Sequence, residues 1–281
     1  MKKAVTVQDI SCVGKCSLTV ALPILSSLMV ETAVLPTALL STHTAFQGFF
    51  FHDLTKDILP IASHWKKEGF AFDAIYTGYL GSVEQVDIVS DFIKDFKKEG
   101  TLVVVDPAMA DDGKMYSGFQ RSFADHMARL SRKSDIILPN MTEAYFLLGE
   151  DYVAESKGKK EIELLVKKLA SLSDGSVVLK GIKLEGEEGR IANAYYDKRK
   201  NDPVWYFHPI VKESFSGTGD VYASAFTGSL LNGKKAEEAF SIAADFVLEA
   251  IKRTMEEENY HTWGVDFEKA LPSLMKRLGL I

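Results

Sequence analysis

Two hydrophobic periods alternate along the chain. Short β-branched apolar runs at Ala4–Gln8, Ala33–Leu39, Ala74–Thr77, Thr101–Val105, Ile136–Leu138 and Val177–Lys180 predict strands. Between them, a helical spacing of apolar positions predicts helices near Leu18–Leu28, Leu54–Lys67, Val83–Lys98, Phe119–Ser131 and Ile162–Leu172. Ile191–Tyr196 and Val204–Phe207 read as a β pair joined by the charged turn Asp197–Asp202, and the chain after Gly219 reads as mostly helical. Strands alternating with amphipathic helices predict an α/β fold, a parallel sheet with helices on both faces. No internal repeat, low-complexity tract or interdomain linker breaks the pattern, so residues 1–281 read as a single domain.

Within the helical third, Ser216-Gly217-Thr218-Gly219-Asp220 runs straight into the apolar stretch Val221–Leu231. A helix start carries unpaired N–H groups and the positive end of the macrodipole, so Gly217, Thr218 and Gly219 can present backbone donors to an anion. Asp220 binds phosphate poorly there, but it can take a proton from a hydroxyl that attacks one. This points to phosphoryl transfer to an alcohol, with an ordinary helix cap as the plain alternative.

In an open α/β sheet, ligands bind beyond the carboxyl ends of the strands. The expected strand ends are followed by Asp9 and Ser11, by Ser41, Thr42, His43 and Thr44, by Tyr79, by Asp106, by Asn140 and Glu143, and by Lys180. Turn chemistry accounts for Asp106-Pro107 or Pro139-Asn140 singly, but poorly for the whole set. Gly14-Lys15-Cys16-Ser17 looks like the tail of a phosphate loop, yet Asp9 stands where that loop needs its first glycine and Cys16 where it needs Ser or Thr. The first strand also lacks the glycine pattern of a dinucleotide site.

Composition narrows the partners. Apolar residues make up 46% and charged residues 26%, as in a folded globular chain. A net charge of −6 without a basic stripe speaks against nucleic acid and against an acidic membrane surface. The start of the chain does not read as a signal peptide and no apolar run is long enough to span a bilayer, so the sequence reads as cytoplasmic. Cys12 and Cys16 lie near no histidine and read as free thiols.

The residues also resemble a known family, the pyridoxal kinases of the ribokinase superfamily. The likeness rests on Ser41-Thr42-His43-Thr44, Thr77-Gly78-Tyr79-Leu80-Gly81-Ser82, Asp106-Pro107-Ala108-Met109-Ala110-Asp111 with Gly113-Lys114-Met115-Tyr116, Pro139-Asn140-Met141-Thr142-Glu143-Ala144, and Gly217-Thr218-Gly219-Asp220. It implies a ribokinase-like three-layer α/β/α sandwich with a mostly parallel sheet. It further implies ATP- and Mg²⁺-dependent phosphorylation of the 5′-hydroxymethyl group of a B6 vitamer, with a monovalent cation such as K⁺ as a further candidate, and a homodimer. By the same resemblance Asp220 is the base and Gly217, Thr218 and Gly219 form the anion hole. His43, Thr44 and Tyr79 line the vitamer pocket; Asp106, Asn140, Glu143 and Lys180 lie near ATP; Glu143, Asp106 and Asp111 lie near the metal, with Lys114 a weaker phosphate neighbour in a flap.

The chain departs from that family in a shorter first loop, where Asp9 or Ser11 is expected to meet the pyridine ring; an aspartate there would favour a protonated ring nitrogen. Glu143 and Asn140 also read as a helix-start pair, and His43 as a buried hydrogen-bonded histidine. Hydroxymethylpyrimidine kinases share the superfamily site, but usually carry a Gly-Ser-Asp segment and a glycine-rich first loop that this chain lacks. A non-catalytic vitamer-binding protein is the remaining alternative, and it has no need of Asp220 or the glycines.

Overall fold

The computed structural model describes residues 1–281. The chain begins β1 (Lys2–Val13), α1 (Leu18–Ser27), β2 (Val30–Thr42), β3 (Phe51–Asp53), α2 (Thr55–Glu68), β4 (Ala74–Thr77) and α3 (Val83–Phe96). It continues β5 (Leu102–Val105), β6 (Ala110–Asp111), β7 (Lys114–Met115), α4 (Phe123–Ser131), β8 (Ile136–Ile137), α5 (Met141–Leu147), α6 (Lys159–Ala170) and β9 (Ser176–Ile182). It ends β10 (Arg190–Asp197), β11 (Val204–Pro209), α7 (Thr218–Leu231), α8 (Ala236–Met255) and α9 (Phe267–Arg277). Mostly parallel strands alternating with helices make the α/β fold that the periodicity predicts.

Two compact units compose the chain, one of Met1–Gly78, Lys98–Thr101 and Lys212–Ile281, the other of Tyr79–Lys97 and Leu102–Val211. In the first, β1 lies between β4 and β2, parallel to both, and the short β3 closes the edge antiparallel to β2. Burial of Ala4, Val5 and Val7 on β1, and of Ile75 and Tyr76 on β4, identifies these as interior strands. Helix α7 is apolar around most of its circumference and buries Val221 to Ser229 nearly without interruption. Its Gly228 lets Leu28 approach so closely that a Cβ would lie 2.4 Å from Leu28 Cδ1.

In the second unit β5, β8 and β9 are parallel, and β10 and β11 follow antiparallel. The turn expected at Asp197–Asp202 joins β10 to β11, and Asp197 receives both the backbone and the guanidinium of Arg199. No helix is long and apolar enough to cross a membrane.

Two expectations change, and some short elements were not expected. Strand β1 does not stop at Gln8: its register with β2 slips between Gln8↔Pro36 and Ile10↔Leu39, then pairing resumes to Val13. Pro36 has no N–H for the ladder and the extra residue in β2 is absorbed as a bulge, so Asp9 and Ser11 lie inside a strand, not in a loop. Helix α4 starts at Phe123 instead of Phe119, because Gly118 turns the chain at φ 90 and Arg121 is drawn to the carbonyls of Phe146 and Glu150. The short β3 and the β6–β7 hairpin escape a periodicity test through length alone. The hairpin turn has positive φ at both Asp112 and Gly113, the backbone that favours an Asp-Gly pair.

Phe226 is fully buried in α7. Phe226→Ala is expected to destabilise the fold by about 3–5 kcal/mol, read as a lower midpoint in urea unfolding.

Candidate active site

In the first unit, the polar cluster is built where the Gly14–Ser17 loop meets the start of α7. Gly217 is the N-cap of α7 in the left-handed conformation, φ 75, and a Cβ there would lie 1.9 Å from the carbonyl oxygen of Lys15. No side chain fits between the two backbones, so this position requires glycine for conformation and for space. The first-turn N–H groups of α7 have no partners four residues back within the helix, and Asp220 adds its carboxylate to the same turn. Asp220 Oδ2 accepts the N–H of Ser17 at 2.9 Å, and Thr218 Oγ1 donates to the carbonyl of Phe215 at 3.3 Å.

Asp9 lies directly beneath this loop. Its Oδ1 accepts the Ser17 hydroxyl at 2.5 Å and its Oδ2 the Ser11 hydroxyl at 2.8 Å. Burial pushes the Asp9 carboxyl above its ordinary range against these two bonds. Asp9 and Ser11, expected at the ring of a substrate, are thus buried and spend these groups on each other and on Ser17. Cys16 is a free thiol; burial, and then the charges of Asp220 and Asp9, push its pKa up and keep it protonated.

His43 is held at both nitrogens. Nε2 lies 2.9 Å from the carbonyl of Trp263, which only an N–H can satisfy, and Nδ1 accepts the N–H of Ala45 at 3.3 Å. The neutral Nε2–H tautomer follows, so the ring forms an aromatic wall with Phe46, and Phe46 in turn lies 6.2 Å from Trp263. Thr44 is half-buried in the following turn. Gly14, at φ 104, passes so close that a Cβ would meet His43 Cδ2 at 2.3 Å. Sequence reasoning missed Ser17, Trp263 and the clamp of Lys15 on Asp266 and Glu268, because their partners are remote in sequence.

In the second unit, the strand ends collect Asp106, Asn140 and Lys180. Asp106 follows β5, and Asn140 bridges to Lys180 on β9 as an extra step of parallel ladder. Lys180 Nζ sits 3.3 and 3.4 Å from the two oxygens of buried Asp106. Asn140 and Glu143 form a reciprocal capping box at the start of α5, and Glu143 also accepts the N–H of Met109 at 3.3 Å. The Asn140 amide donates to the carbonyl of Ala110 at 2.8 Å. Thr142 Oγ1 accepts the N–H of Gly113 at 2.9 Å, tying the hairpin to the same helix. Asp111 and Lys114, on the two hairpin strands, are exposed. Tyr79 stacks on Phe119 at 5.4 Å, and Phe119 stacks on Phe123 at 4.2 Å.

This second cluster buries two carboxyl groups beside one ammonium. Asp106 pairs with the Lys180 ammonium, and burial followed by the Asp106 charge pushes Glu143 up to about 8, so it keeps its proton near neutral pH. Hard oxygen donors suit a divalent cation, whose binding would release the Glu143 proton. No three His, Cys, Asp or Glu residues converge into a cage, so a metal here needs oxygen ligands from water and phosphate as well.

Comparison with known proteins gives the same reading of the fold. A sequence pattern described as phosphomethylpyrimidine kinase matches residues 26–263. A Bacteroides thetaiotaomicron protein described as a phosphomethylpyrimidine kinase, solved in an orthorhombic form with pyridoxal, is 39% identical with a TM-score of 0.92, over 97% of this chain and 95% of that one. Pyridoxal kinase from Lactobacillus plantarum is 27% identical with a TM-score of 0.89, over 98% and 97%. The hydroxymethylpyrimidine/phosphomethylpyrimidine kinase of Bacillus subtilis is 29% identical over 73% of this chain and 72% of its own. Fold and relatives together define a small-molecule kinase of the pyridoxal and hydroxymethylpyrimidine type. The chain belongs to the phosphomethylpyrimidine kinase family, with pyridoxal kinases among its relatives.

The raised Glu143 carboxyl has a testable sign. Between the ordinary value of 4.5 and about 8 the folded protein holds a proton that the unfolded chain releases, so this group's stabilisation is complete below 4.5 and fades as pH rises through that window. Melting curves of wild type and Glu143→Gln without Mg²⁺ are expected to show a shallower pH slope in the variant across the window.

Proposed function

We propose that the chain transfers the terminal phosphoryl group of ATP to the 5′-hydroxymethyl group of pyridoxal, pyridoxamine or pyridoxine. The observation that carries this reading is the Asp220 carboxylate in the first turn of α7, beside a left-handed Gly217 and the open N–H groups of that turn. Phosphoryl transfer asks little covalent work of a protein and depends on positioning and charge. Gly217, Thr218 and Gly219 receive the transferring phosphoryl oxygens on backbone N–H groups. As the hydroxyl oxygen forms its bond to phosphorus and the bond to the ADP oxygen breaks, Asp220 takes the hydroxyl proton.

Thr44, His43 and Tyr79 shape the vitamer side. His43 does so as a wall, since its nitrogens are both engaged. The B. thetaiotaomicron relative solved with pyridoxal supports a vitamer as the acceptor. Lys180, Asn140, Asp106 and Glu143 serve the nucleotide phosphates, with Asp111 nearby on the hairpin. Mg²⁺ would be held by Glu143 and Asp106 together with water and phosphate, and would supply charge neutralisation for the phosphoryl oxygens.

A second reading is kinase activity on hydroxymethylpyrimidine, favoured by the family pattern and the B. subtilis relative. That acceptor is also a hydroxymethyl group on a heteroaromatic ring, so the same base and anion hole serve it. Initial rates of ATP consumption with the three vitamers and hydroxymethylpyrimidine, run in parallel at fixed Mg²⁺ and K⁺, separate the two. Vitamer-dependent turnover is expected; turnover with the pyrimidine alone would reverse the assignment, and binding without any turnover would indicate a vitamer-binding protein.

Asp220→Ala is expected to lower kcat by about 10²–10⁴-fold while vitamer binding changes little. Steady-state kinetics with a calorimetric binding titration checks this.

A further inference from the structure

The Gly14–Ser17 segment fails as a phosphate loop, yet the structure packs it against the proposed base. Ser17 is buried and adopts φ 53, ψ −128, a region open to glycine but strained for a residue with a side chain. Such strain persists only where surrounding contacts hold it. Here the contacts are visible: the Ser17 hydroxyl donates to buried Asp9, and its backbone N–H donates to Asp220.

The rest of the segment is fixed as well. Thr19 Oγ1 donates to the carbonyls of Gly14 and Cys16, and Lys15 reaches Asp266 and Glu268 at 2.7 and 2.8 Å. A Cβ on Gly264 would lie 2.7 Å from Lys15 Cβ, so the chain presses on the loop from that side too.

We infer that Ser17 is a positioning residue for phosphoryl transfer: its N–H sets the orientation of Asp220, and its hydroxyl, anchored on Asp9, holds the strained backbone that aims this N–H. The inference rests on the reading of Asp220 as the base. It also gives Asp9 a task away from the substrate, since pairing resumes past the β2 bulge and keeps that carboxylate in the strand, where it can carry the anchor.

The test compares kcat and KM for wild type, Ser17→Ala and Ser17→Gly. Alanine keeps the N–H and the strained angle but loses the anchor. It is expected to lower kcat about tenfold, with KM for both substrates within about twofold. Glycine reaches the same angle without an anchor and is expected to recover part of that loss. The expected kcat order is serine, glycine, alanine; a hydroxyl that only stabilised the fold would lower the melting midpoint of the variants and leave kcat unchanged. Alanine at the wild-type kcat, or glycine no better than alanine, overturns the inference. A second readout needs no turnover: the Ser17 amide resonance in a ¹H–¹⁵N spectrum is expected to move in Asp220→Asn, and an unmoved resonance overturns the inference as well. Failure of the underlying reading looks different, because wild type then consumes no ATP with any of the four alcohols, or Asp220→Ala stays active.

Discussion

The contact on which the first cluster depends is backbone against backbone, the carbonyl of Lys15 in the space a side chain on Gly217 would fill. Because nothing lies between them, the loop before α1 and the first turn of α7 are set at one distance. Everything polar around them inherits that distance: the N–H of Ser17 reaches Asp220, and the hydroxyl of Ser17 reaches back to Asp9. Gly14 and Gly264 also leave no room for a side chain, but there the close atoms belong to the side chains of His43 and Lys15. Three glycines therefore act as spacers of zero thickness, one between two main chains and two against side chains.

Much of this was legible from residue order. The strand and helix periods gave the α/β architecture, and the helix start at Gly217 stood out because glycine, a carboxylate and an apolar run occur together. The capping pair Asn140 and Glu143 was readable for the same reason, since its logic is local. What was not legible depends on contacts between remote segments. Nothing in Gly-Lys-Cys-Ser announces a partner 203 residues away, and a strand that continues past a bulge looks, in sequence, like a strand that ends. Asp9 was misplaced for that reason: its polarity suggested a loop, while its hydrogen bonds to two serines permit burial in β1.

The two clusters handle charge in contrasting ways. Around Asp220 and Asp9 the negative charge is met by N–H and O–H donors, which satisfy carboxylates without a cation. Around Asp106 and Glu143 a single ammonium, Lys180, pairs with Asp106, and the buried Glu143 carboxyl holds its proton far above the ordinary range. The first arrangement suits a group that must accept a proton in place; the second suits a region that completes itself with a bound positive charge.

Glu143 shows what that second arrangement entails. The side chain whose proton is held up to about 8 is also the one that closes the first turn of α5, through the N–H of Asn140. Asn140 in turn is laddered to Lys180, and the next residue but one, Thr142, holds the hairpin. Electrical state and helix geometry are thus properties of one carboxyl group. The proton that Glu143 gains or loses therefore sits on the same carboxyl whose bonds meet the helix start and Met109, next to Asn140 and Thr142, which hold the strand end and the hairpin.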